Sequence, residues 1–178
     1  EIIAAGEARS YELTGPAIGH RRLVNLAWGL RNLATPDRVG PRLMERLLNA
    51  DNMTDAYASL CMLTSLDSVR FATLRADGLA HFYDRWSHEP LVVDKWFRAQ
   101  AASSADGALD KILALAEHPA FERKNPNRFR SLVGVFGVGN QRHFNAADGR
   151  GYDFVASEVL ALDGLNPQTA ARVAATCV

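Results

Sequence analysis

Leu23-Val-Asn-Leu-Ala-Trp-Gly-Leu-Arg-Asn-Leu33 decides the fold class. Leu23, Leu26, Ala27, Leu30 and Leu33 recur at three- and four-residue spacing, so they lay one apolar stripe along the side of a helix and do not fit the two-residue alternation of a strand. The same spacing returns in Leu43, Leu47 and Leu48, and again in Ala56, Leu60 and Leu63. Val69 to Trp86 carries Phe71, Leu74, Leu79, Phe82, Tyr83 and Trp86. Leu91 to Ala102, Leu109 to Ala116, Arg128 to Val138 and Phe154 to Leu162 complete the helical segments. No segment alternates convincingly as a strand.

The punctuation between these segments agrees with helices. Asn52, followed three residues later by Asp55, has the spacing of a capping box ahead of a helix from Met53 to Ser65. Asn125-Pro126 and Asn166-Pro167 each put a capping side chain before a proline suited to the first helical turn. Gly40-Pro41, Glu89-Pro90 and Asp148-Gly-Arg-Gly151 read as turns. About eight to ten helices joined by short connections follow, and short connections make consecutive helices antiparallel. The expected fold is all-α, an irregular HEAT/armadillo-like superhelical array of antiparallel helix pairs forming a single domain over 1–178, with a globular helical array as the close alternative.

Composition bounds the function. The chain has 178 residues, and a domain of that size buries enough surface for a core without metal or disulfide staples. It carries 20 basic and 20 acidic side chains, so no whole-chain field draws in nucleic acid or anionic lipid. Arg, Asp or Glu interrupts every apolar stretch before it reaches membrane-spanning length. Glu1-Ile-Ile-Ala-Ala-Gly-Glu7 lacks the basic start and long apolar core of a signal peptide. It also lacks an initiator Met, which reads as a start inside a longer protein. Cys61 and Cys177 lie in apolar runs and are expected to be buried, reduced thiols in a cytoplasmic compartment.

No catalytic constellation emerges. His20, His81, His88, His118 and His143 contain no pair at helical spacing, and His88-Glu89 departs from a zinc-protease helix at Pro90 and Val92. They read as surface or capping histidines, and no metal site is expected in this chain. No serine occupies a nucleophile elbow, and Cys61 among Leu60, Met62 and Leu63 reads as core. Gly134, Gly137 and Gly139 lack the preceding strand and following Lys of a phosphate loop, so they suit close helix packing.

Four polar-aromatic segments are too particular for a generic helix surface: Asn49 to Asp55, Val93 to Phe97, Asn125 to Ser131 and Asn166 to Gln168. Asp94 and Lys95 are adjacent and point apart on a helix, while Trp96 and Phe97 serve as anchors. In order, Ala50-Asp-Asn-Met-Thr-Asp-Ala56, Leu91-Val-Val-Asp-Lys-Trp-Phe97, Asn125-Pro-Asn-Arg-x-Arg-Ser-Leu132, Phe144-Asn-x-x-Asp-Gly-x-Gly-Tyr152 and Asn166-Pro-Gln168 resemble the C-terminal helical domain of bacterial aminopeptidase N, the alanyl aminopeptidase branch of the HExxH zinc aminopeptidases. The resemblance runs from about Gly19 to Arg172.

The resemblance implies a parent enzyme that removes N-terminal residues from peptides, with its zinc and catalytic Glu in a catalytic domain of the same polypeptide. It implies that this domain encloses the active-site cavity, and that Arg130, Gln168 and Arg172 line that cavity and contact peptide substrates. Arg128, two positions from Arg130, points elsewhere and reads as a structural ion pair. Further C-terminal helices are expected beyond Val178. The competing reading is a free-standing HEAT-like scaffold that binds partner proteins through an apolar groove.

Overall fold

The computed structural model describes residues 3, 11–67 and 69–177, and among them every regular element is helical. Apart from Ile3, the Glu1–Glu7 segment lies outside the described residues, as does Val178. The chain divides into two compact units, Glu1–Phe82 and Tyr83–Val178.

In the first unit, α1 (Gly15–Ala34), α2 (Pro36–Leu48) and α3 (Met53–Thr64) pack on one another, followed by a 3-10 turn (Val69–Phe71) and α4 (Ala72–Trp86), which runs across the boundary. Helix α1 forms where the apolar stripe predicts it, but the stripe is not its buried face. Leu23, Leu26, Leu30 and Leu33 are exposed, Leu33 by 82%, whereas Val24, Trp28 and Asn32 are buried. Period alone cannot separate two apolar faces on one helix, and Trp28 contributes the larger burial.

Gly40-Pro41 is not a turn: both residues lie inside α2. An interior proline forfeits one helical hydrogen bond and costs about 3 kcal/mol. Full burial of Val39, Leu43 and Leu47 on the same helix outweighs that cost. Gly40 is needed for space, since a Cβ there would stand 3.1 Å from Leu74 Cδ2 and 3.4 Å from both Leu66 Cδ1 and Phe71 Cε1.

The second unit holds α5 (Pro90–Ala101), α6 (Ala108–Leu115), α7 (Pro126–Phe129), a π-helical turn (Arg130–Gly134), α8 (Val135–Gly139), α9 (Gln141–Phe144), α10 (Arg150–Asp163), α11 (Pro167–Ala174) and a closing 3-10 turn (Ala175–Cys177). Helix α5 packs on the π turn, on α6 and on α8, and α10 pairs with α11. The core centres on Phe97, Phe129, Leu132, Val133 and Phe136, all with 0% exposure. Asn140 locks the connection after α5: its buried amide donates to the Ala101 and Ser103 carbonyls at 2.9 and 2.8 Å. Gly149 takes φ 75° ahead of α10, but Gly151 is already helical. A Cβ at Gly151 would come within 2.5 Å of the His143 and Phe144 carbonyl oxygens.

Both cysteines are free thiols, as expected, but neither is buried: Cys61 is half-buried and Cys177 exposed. Cys177 ends the closing 3-10 turn, which packs on α11 and α8 and leaves the thiol at the surface.

Candidate functional site

Each polar motif resolves into local structure. In the first, Asn52 Oδ1 accepts from the Asp55 backbone N–H at 3.0 Å and caps α3. The reciprocal bond of a capping box goes from the Asn52 side-chain amide to Asp55 Oδ2 at 2.9 Å. Asp55 Oδ1 accepts from Arg46 at 2.7 Å and Asn25 at 3.1 Å, which ties all three helices of the first unit together. Asp51, Asn52 and Asp55 also border a polar groove of about 400 Å³ with Glu12, His20 and Arg21.

In the second motif Trp96 and Phe97 are buried anchors, and rings of Tyr83, Trp96, Phe97 and His118 cluster at centroid separations of 4.8 to 5.9 Å. His118 is half-buried, unlike a surface histidine. Burial first, and then the Arg128 charge, hold its pKa below the ordinary 6.5. Its Nδ1 accepts from the Ala120 N–H at 3.1 Å.

The third motif separates two arginines. Asn125 Oδ1 accepts from the Asn127 and Arg128 backbone N–H groups and starts α7 at Pro126. Arg128 turns inward: Nε donates to Asp94 Oδ1 at 2.6 Å, Nη1 to the Ala120 carbonyl at 2.7 Å and Nη2 to the Pro90 carbonyl at 3.1 Å. It is the structural ion pair expected from its spacing. Arg130 is exposed and opens the π turn, a distortion that often accompanies functional positions.

Arg130 and Arg172 line one groove of about 370 Å³ with Gly134, Val135, Val138, Gly139, Val173 and Thr176. None of these lining side chains is acidic, so the groove offers an apolar surface flanked by two cations. Gln168 is exposed one turn before Arg172 on α11, on the same helical side, but it does not line the groove. Asn166 Oδ1 caps α11 by accepting from the Thr169 N–H at 3.1 Å. Gly137 lets the closing turn approach α8, since a Cβ there would stand 2.5 Å from Thr176 Oγ1. Sequence reasoning did not single out Val135, Val138 or Thr176, although Val135 and Val138 are three apart on α8, which follows directly on the π turn that Arg130 opens.

Among the described residues no group of three His, Cys, Asp or Glu side chains gathers where it could hold a metal ion. No helix among them is long and apolar enough to cross a membrane.

These features define an all-helical, repeat-type domain. The chain belongs to the family described as "Domain of unknown function (DUF3458_C) ARM repeats", which matches residues 2–177. The all-α, repeat-like array read from the sequence is borne out. Relatives named Aminopeptidase N are 41% identical over 132 residues in Caulobacter vibrioides, 38% over 163 in Haemophilus influenzae and 39% over 124 in Escherichia coli. They cover 74%, 92% and 70% of this chain, but the chain spans only 15%, 18% and 14% of their lengths. The resemblance to the C-terminal domain of aminopeptidase N therefore holds. A crystal structure of Legionella pneumophila aminopeptidase A in complex with aspartic acid superposes with TM-score 0.86 at 23% identity, covering 98% of this chain and 21% of that one, and supports the fold.

Proposed function

We propose that this chain is the part of a cytoplasmic zinc aminopeptidase that encloses the active-site cavity and contacts peptide substrates, joined to a catalytic domain on the same polypeptide. The observation that carries the reading is the groove where Arg130 and Arg172 flank Val135, Val138 and Val173. A guanidinium offers donors in a fixed fork to a peptide carbonyl or terminal carboxylate, and the valines accept apolar side chains. Gln168, exposed on the helix that carries Arg172, supplies an amide to the N-terminal side chain of the substrate. The zinc of the catalytic domain supplies an activated water for hydrolysis. This chain's residues bind and orient.

The test uses the parent polypeptide and a panel of short peptides. Replacing Arg130, Gln168 or Arg172 by Ala is expected to raise KM or change selectivity while zinc content stays at the wild-type level. Unchanged kinetics across the panel would remove these residues from the cavity wall. The isolated chain is expected to show no turnover of an aminoacyl-anilide, and zinc-dependent turnover would overturn the division of labour.

The exposed row Leu23, Leu26, Leu30 and Leu33 favours a second reading, a HEAT-like scaffold with an apolar docking face. The coding sequence upstream of Glu1 separates the two: an HExxH helix motif supports the peptidase, and an initiator Met close to Glu1 supports the scaffold.

A further inference from the structure

We infer that Asn127 is a positioning residue that fixes the Arg130 guanidinium beside its groove, a role that rests on the cavity-wall reading above. Arg130 is exposed, and a free arginine on a helix surface samples many rotamers. Here two bonds hold it. Nη2 donates to Asn127 Oδ1 at 2.7 Å, and Nε donates to the Pro126 carbonyl at 3.0 Å. Of the five guanidinium protons, these bonds consume the one on Nε and one on Nη2. Both Nη1 protons and the second Nη2 proton remain, so one proton from each terminal nitrogen is left along the end edge of the fork, where it can pair with a carboxylate or carbonyl.

The Pro126 carbonyl belongs to the backbone and is supplied by any residue at that position. The acceptor that depends on side-chain identity is Asn127. Its backbone N–H donates to Asn125 Oδ1 at 3.0 Å and serves the start of α7, whereas its own side chain is exposed. An Asn127→Ala substitution therefore keeps the helix cap and the fold while releasing the guanidinium. Ordering one rotamer-rich side chain on binding weakens affinity by roughly 2- to 10-fold, and Asn127 removes that cost in advance.

The experiment is a double-mutant cycle in the parent enzyme, with KM and kcat for tetra-alanine as readouts. Asn127→Ala is expected to raise KM about 2- to 10-fold with kcat unchanged, and to add nothing in an Arg130→Ala background. A wild-type KM for Asn127→Ala, alongside an impaired Arg130→Ala enzyme, overturns the positioning role and leaves the cavity-wall reading intact. An Asn127→Ala effect that persists in full without Arg130 also overturns it, because Asn127 then acts by another route. A silent Arg130→Ala enzyme overturns both readings together.

Discussion

Asp94 and Arg128 meet 2.6 Å apart inside the second unit, with side-chain exposures of 11% and 8%. The pair joins α5 to α7, and the Ala120 and Pro90 carbonyls satisfy the remaining faces of the guanidinium. Removing one partner strands a buried charge, which costs about 3–5 kcal/mol. Asp94→Ala is expected to lower unfolding free energy by that amount in urea titrations. The Asp94→Leu/Arg128→Met double substitution is expected to recover most of it. Stability within 1 kcal/mol of wild type for Asp94→Ala would show that the pair is not structural.

The fate of Arg128 and Arg130 shows how far the sequence reaches. Two positions on a helix point about 200° apart, so one arginine of the motif had to face inward once the other faced out. Which of them did so came from the resemblance, which implies that Arg130 faces the cavity; Asp94 as the partner of Arg128 was not legible in the sequence. Caps were legible because Asn before Pro acts locally: Asn125 and Asn166 both cap as expected. The choice between two apolar faces of α1 was not legible, because it depends on which neighbour supplies the larger contact. Gly40-Pro41 misled because tertiary burial of Val39, Leu43 and Leu47 on the same helix outweighed a local propensity. The groove was half legible: Arg130 and Arg172 converge on it, while Gln168 does not line it.

His118 makes the stability of the second unit depend on pH. Its folded pKa lies below the ordinary 6.5, so between those two values the unfolded chain binds a proton that the folded chain refuses. The stability is fully present above about pH 6.5 and is lost as pH falls through the folded value. Protonation would also break the bond from the Ala120 N–H to Nδ1. Thermal melts from pH 7.5 to 4.5 should show a declining midpoint that flattens in His118→Gln. Parallel curves for the two proteins would assign the decline to other groups.

The exposed face of α1 predicts behaviour of the chain studied alone. Leu26, Leu30 and Leu33 border an apolar groove of about 380 Å³ with Gly29 and Met62, and contiguous patches of this kind promote association. Leu26→Gln/Leu30→Gln is expected to reduce concentration-dependent self-association in sedimentation velocity, with stability changed by less than about 0.5 kcal/mol per site. Leu43→Ala, at a position with 0% exposure, should instead cost about 2–5 kcal/mol. If the double Gln chain unfolds as readily as Leu43→Ala, the leucines are core and the assignment of the buried face is wrong.

Gly137 and Gly151 test whether close approach alone selects glycine, because neither has a positive φ. At Gly137 the obstacle is the Thr176 side chain, with Oγ1 2.5 Å from an added Cβ, and a side chain can be trimmed. At Gly151 it is two carbonyl oxygens, also at 2.5 Å, and backbone moves only by displacing α9. Ala at either position clashes, so overpacking of about 1–3 kcal/mol is expected, with Gly151 the more damaging site. Thr176→Gly should restore most of the stability lost in Gly137→Ala, measured by urea titration. Since Thr176 also lines the groove with Arg130 and Arg172, that pair of substitutions should alter the groove while leaving the core intact. Failure of the rescue would mean that the closing turn, and not the threonine side chain, needs glycine at 137.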